Sequence, residues 1–146
     1  MGDEILNDSG MSELHVAAYH GELDWVQNCI KGGLDVNACD NDGFTPLHWV
    51  AHMGMVGPCN GEREDIVQLL IDMGANVNSI DNAGESVFFR AVMAGNYKIV
   101  RILIDAKENV DATNCQGDRP LDIAIANEDF ELVEIIKHAV IKQQIE

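Results

Sequence analysis

An all-α helical repeat array with short turn or hairpin fingers is the fold class predicted by this 146-residue sequence. Three observations carry that expectation. Gly10, Gly43, Gly84 and Gly117 recur at steps of 33, 41 and 33 residues, and a period near 33 marks a solenoid of stacked supersecondary units. Similar residues follow each glycine at the same offsets. A second apolar run then completes each unit, and in three of them it closes on a near-identical tail.

The elements follow in order. Residues 1–8 are acidic and aperiodic, so they are read as a flexible tail. Residues 9–146 are read as one domain with repeats at about 7–39, 40–80, 81–113 and 114–146. In the first repeat, Leu14-His15-Val16-Ala17-Ala18 belongs to a short helix, Trp25 to Ile30 to a second one, and Gly33 to the left-handed end of that second helix. The second repeat opens on Asp40-Asn41-Asp42-Gly43, which is turn chemistry. Thr45 then caps a helix opened by Pro46, whose fixed φ and missing N–H suit the first helical position. Ile66 to Ile71 form its second helix and Gly74 ends it.

Residues 55–62 are extra to the pattern and are expected to loop out between the helices of the second repeat, either as tolerated variation or as a second contact point. The third repeat is irregular. Val87 stands for the proline, Phe88-Phe89 for Leu-His, and Lys107 for the terminating glycine, so this repeat is expected to be softer or bent. If Lys107 is left-handed it costs on the order of 1 kcal/mol relative to glycine. The last helix, about Phe130 to Gln143, sets Glu131, Glu134, Lys137 and Lys142 on its wet side, while Ile141 and Ile145 are unexplained by the pattern and either fold back on the array or serve a partner. No unit buries its own apolar face; stacking does so.

Composition narrows the class. An apolar content of 47% excludes a disordered chain. No apolar run reaches the roughly 20 residues of a membrane span, and the start lacks the basic region of a secretion signal. Leu6 stands where a myristoylation motif wants Ser or Thr. Cys29, Cys39, Cys59 and Cys115 lack pairing or metal-ligand spacing and are read as reduced thiols, so a cytoplasmic protein is expected. The net charge of −16 repels nucleic acid and anionic membranes. It serves either to attract a basic partner or simply to keep the surface soluble.

Taken together, Thr45-Pro46-Leu47-His48, Leu69-Leu70 and Gly74-Ala75-Asn76-Val77-Asn78 resemble the ankyrin repeat, and the resemblance runs from residue 7 to about 138. It implies a monomeric, non-catalytic module that binds a partner protein on a concave face of fingers and first helices. Carried over residue by residue, it places Met11, Tyr19, His20, Asn41, Asp42, Phe44, His52, Met53, Ile80, Asn82, Glu85 and Met93 on that face. Phe44 and Tyr19 are its expected aromatic anchors. Trp49 and its third-repeat match Arg90 share a usually half-buried position and are also counted as candidate partner-binding residues, with Trp49 read as chiefly structural and Arg90 as a sign that the site can reach solvent.

The resemblance also assigns His15 and His48 to neighbouring backbone rather than to chemistry. His48 and His52 have a spacing that suits zinc, but no glutamate follows in the protease pattern and the cysteines are misplaced. No phosphate loop or nucleophile elbow is present, so neither a cofactor nor catalysis is expected. A dedicated inhibitor acting by occupancy, an adaptor with two faces, and a metal- or thiol-dependent enzyme are the alternatives.

Overall fold

The computed structural model describes residues 9–53 and 62–145. The expected tail at 1–8 and all of the 55–62 insertion except Glu62 lie outside the described residues. The described chain forms α1 (Glu13–His20), α2 (Leu23–Lys31), α3 (Pro46–His52), α4 (Glu62–Asp72), α5 (Val87–Ala94), α6 (Tyr97–Asp105), α7 (Pro120–Ala126) and α8 (Phe130–Ile145). These pair in sequence order. The first helices stack as α1, α3, α5, α7, and α2, α4 and α6 stack behind them. Glu62, expected in the insertion, instead begins α4, where its carboxylate accepts the Leu23 N–H at 3.3 Å.

The first helices start where they do because short polar side chains cap them. Ser12, Thr45 and Ser86 accept the N–H of His15, His48 and Phe89, each satisfying an amide with no partner inside its helix. His15 and His48 complete the exchange, since their Nδ1 atoms accept the backbone N–H of Ser12 and Thr45 at 3.0 and 3.3 Å. Their Nε2 atoms meet the carbonyls of Phe44 at 2.9 Å and Glu85 at 3.2 Å in the following repeat. A neutral ring protonated on Nε2 satisfies both bonds, and burial lowers the His48 pKa, favouring the neutral form. In the last repeat Asp122 holds this place. It accepts the Arg119 backbone N–H at 2.9 Å and pairs with its guanidinium.

The fingers are tight turns, and an isolated antiparallel bridge joins Ile80 to Ser86. Asp40 Oδ1 accepts the N–H of Asp42 and Phe44, Asp81 Oδ1 those of Ala83 and Glu85, and Asn114 Oδ1 those of Gln116 and Asp118. Adjacent fingers are tied by the Asn82 N–H to Asp42 O and the Cys115 N–H to Ala83 O, at 2.9 and 3.1 Å. Leu14, Leu47, Phe88, Ile66, Ile99, Leu132 and Ile136 belong to one continuous core running through every repeat. Cys29 is a buried filler there, and burial together with Glu13 pushes its thiol up to about 11. Trp25 is half-buried against the core, and its Nε1 donates to Glu13 at 2.9 Å.

The irregular third repeat keeps one continuous first helix across its aromatic pair. Phe88 and Phe89 are buried and α5 runs unbroken. Lys107 does take the left-handed conformation, at φ 64°, where Gly33 and Gly74 sit at 88° and 96°. Lys107→Gly is therefore expected to raise the thermal midpoint by about 2 °C, since it removes a strain on the order of 1 kcal/mol while loosening the unfolded chain. A fall in differential scanning calorimetry would contradict this.

Candidate protein-binding surface

The first helices bring several of the sequence-assigned residues into one ring cluster. Tyr19 on α1 meets Trp49 on α3 edge-on at 5.4 Å, and Phe44 meets Trp49 at 4.8 Å and His52 at 5.8 Å. His20 extends the cluster by stacking on Trp25 at 6.0 Å. From the third repeat, the Arg90 guanidinium lies over the Phe44 ring at 4.7 Å, a cation–π contact between repeats.

Arg90 does not reach freely into solvent. Its guanidinium pairs with Asp81 and Glu85, each at 2.9 Å, and only 15% of its side chain is exposed. Trp49 is held in the same way, with Nε1 donating to Asp40 Oδ2 at 2.7 Å. The sequence reading did not assign these two buried acids a functional role, although a signal for them exists. Asp40 and Asp81 each precede the finger glycine by three residues, and a donor follows nine residues after the acid, Trp49 or Arg90. In the fourth repeat Asn114 and Ile123 replace the pair together.

Two expected contact residues are not available. Phe44 is 7% exposed and Met11 is 8% exposed. The Phe44 ring is covered by Arg90, Trp49 and His52, so it supports the surface from beneath. Tyr19 and Met93 are exposed, at 37% and 43%, and Ile80 is the most open of the group. His52 and Met53 are half-buried beside them. Burial, and then the Arg90 charge, lower the His52 pKa. The fingers contribute exposed Asn41, Asp42 and Asn82, and the half-buried Glu85, which also accepts from Asn114 Nδ2 at 3.0 Å.

Arg63 is a further residue that sequence reasoning missed. It is buried at the start of α4 and donates to the carbonyls of Ala18 and Tyr19 at 3.4 and 3.1 Å. It thereby closes the end of α1 and fixes the backbone that carries Tyr19. Among the described residues no group of three His, Cys, Asp or Glu side chains is placed to hold a metal, and no helix is long and apolar enough to cross a membrane. A cleft of about 630 Å³ lined by Ile104, Lys107, Ala139 and Gln143 shares only Ile80 with the assigned face.

Comparison with known proteins places these features. The family model for ankyrin repeats (3 copies) matches residues 2–79 and 55–145. The chain is 35% identical over 80 residues to protein phosphatase 1 regulatory subunit 12A of Mus musculus, covering 55% of this chain and 7% of that protein. It is 32% identical over 132 residues to the B-cell lymphoma 3 protein homolog of Mus musculus, covering 89% of this chain and 28% of the other. Protein phosphatase 1 regulatory subunit 27 of Mus musculus is 30% identical over 82 residues, 56% of this chain and 48% of that one. The chain thus spans less than half the length of each of these relatives. Its repeated helix pairs, its capping pattern and the family match together make it a member of the ankyrin-repeat family, a protein–protein interaction module.

Proposed function

We propose that this protein binds a partner protein, without catalysis of its own, on the face built by the α1, α3 and α5 ends and their fingers. The observation that carries the reading is the ring cluster spanning three repeats, in which Asp40 bonds Trp49, Asp81 bonds Arg90, the buried Phe44 packs against Trp49, His52 and Arg90, and Tyr19 rests edge-on against Trp49. Rigid aromatic groups bind with little loss of side-chain entropy and supply a large share of interface energy. Asp42, Glu85 and the net charge of −16 favour a partner segment rich in Lys or Arg, steered in by the field.

Tyr19→Ala combined with Met93→Ala removes exposed apolar contact and leaves the supporting bonds intact. Captured partner is expected to bind this variant at least about tenfold more weakly, in keeping with the loss of an anchor residue. Equal affinity by calorimetry, with an unchanged melting curve, would move the interface elsewhere. Phe44→Ala is not a usable probe, because its burial makes it a stability variant.

The dedicated-inhibitor reading draws on one observation, that two of the relatives are named as regulatory subunits of protein phosphatase 1. It requires that the purified chain change phosphatase activity on titration with protein phosphatase 1. No change at saturating chain would leave the general binding module as the reading.

A further inference from the structure

The exposed side of α8 carries a patterned stripe. Phe130, Glu134, Lys137 and Ile141 follow at intervals of four, three and four residues, which is one helical face. All four are exposed, Phe130 at 70% and Ile141 at 58%. The corresponding positions in earlier repeats serve the next repeat. Glu64 accepts from Asn96 Nδ2 at 3.3 Å, and the Tyr97 hydroxyl donates to Asp129 at 2.7 Å. Phe130 occupies this place with an apolar ring and, among the described residues, no following repeat. Ile125 tells the same story. It matches Ala51 and Val92, both buried, yet is 50% exposed.

We propose that a second copy of this chain covers the stripe, the two α8 helices lying antiparallel about a twofold axis. The order of charges selects that occupant. Glu131 and Glu134 precede the midpoint of the Phe130–Ile141 stripe and Lys137 and Lys142 follow it, so a reversed copy brings unlike charges together. With the axis crossing between positions 135 and 136, Glu134 of each copy faces Lys137 of the other, and Phe130 of each meets Ile141 of the other. Both contacts occur twice, as a self-complementary interface requires. A parallel pair would set like charges together.

Ile145, exposed at 81%, ends the helix that forms this contact. One helix pair is a small interface, and each copy carries a charge of −16. The dimer is therefore weak, with a Kd on the order of 100 µM that tightens with salt as the overall repulsion is screened.

Sedimentation equilibrium of the full chain, from about 10 to 500 µM in moderate salt, tests this, with circular dichroism confirming that each variant is folded. The mass is expected to rise from one copy to two. Glu134→Lys alone and Lys137→Glu alone each place like charges face to face and are expected to weaken association at least about tenfold. Mixing these two variants, or combining both changes in one chain, restores opposite charges and is expected to return the wild-type equilibrium. Phe130→Ser is expected to leave monomers. The proposal is overturned by a wild type that stays monomeric at every concentration. It is equally overturned by a dimer indifferent to the single changes, which would place the contact elsewhere, or by a mixture that associates no better than its components.

Discussion

Glu108→Gln is expected to raise the thermal midpoint at pH 8 by roughly 5–10 °C, while at pH 5 the two proteins melt within about 2 °C of each other. Glu108 follows Lys107 in the tail of the third repeat, where the other repeats place Leu34 and Ala75. It is fully buried, its Oε1 accepts the Phe88 N–H at 3.3 Å, and its Oε2 has no hydrogen-bond partner. Burial pushes this carboxyl from 4.5 up to about 8, against the opposing pull of the Phe88 amide and the Ser86 hydroxyl.

The folded protein therefore holds a proton that the unfolded chain releases near pH 4.5. The stability that Glu108 contributes is fully present below that pH and declines as pH rises toward about 8, where the folded state also ionises. The decline is on the order of 2–4 kcal/mol. Glutamine keeps the shape and the acceptor oxygen without the ionisation, so its curve should lack this decline and diverge from that of the wild type as pH rises. Melting curves of both proteins from pH 5 to 8.5 decide the matter. Parallel curves would show that Glu108 is solvated or paired in solution.

Gly43→Ala is expected to destabilise the protein by about 3 kcal/mol, against about 1 kcal/mol for Gly117→Ala. Both glycines are left-handed, at φ 80° and 85°, so both changes carry the same backbone strain. Only one meets an obstacle. A Cβ on Gly43 would stand 2.6 Å from Asn82 Oδ1, 2.9 Å from Asn82 N and 3.1 Å from Asp81 Cα, whereas a Cβ on Gly117 finds nothing within 4 Å. The obstructing atoms include backbone of the next finger, held by the Asn82 N–H to Asp42 O bond. That finger must shift, and the shift disturbs Asp81, which anchors Arg90. Urea unfolding of the two variants measures the difference. Equal losses would mean that the stacked fingers yield at no cost.

The periodic elements were legible because their causes are local. Ser12, Thr45 and Ser86 cap helices that begin beside them, Gly33 and Gly74 end others, and the finger acids close their own turns. The strained backbone at Lys107 could likewise be read by register with those glycines. Exposure was not legible. Phe44 reads as an anchor from its offset alone, and only the placement of Arg90 over its ring makes it support. Arg90 itself reads as a solvent residue until Asp81 and Glu85 close around it. Arg63 carries no periodic signal, since its partners are the carbonyls of Ala18 and Tyr19, more than forty residues away.

By itself the sequence determined that four similar units would each form two helices and a turn, because capping, left-handed glycine and apolar spacing act within a few residues. It also determined an acidic surface, which depends on composition alone. The tertiary structure alone decided which aromatic rings are exposed and which are buried, where a carboxyl such as Glu108 loses its water, and that α8 leaves Phe130 and Ile141 exposed. Each of these depends on what the next repeat places against a side chain, and burial is a property of that neighbour as much as of the residue.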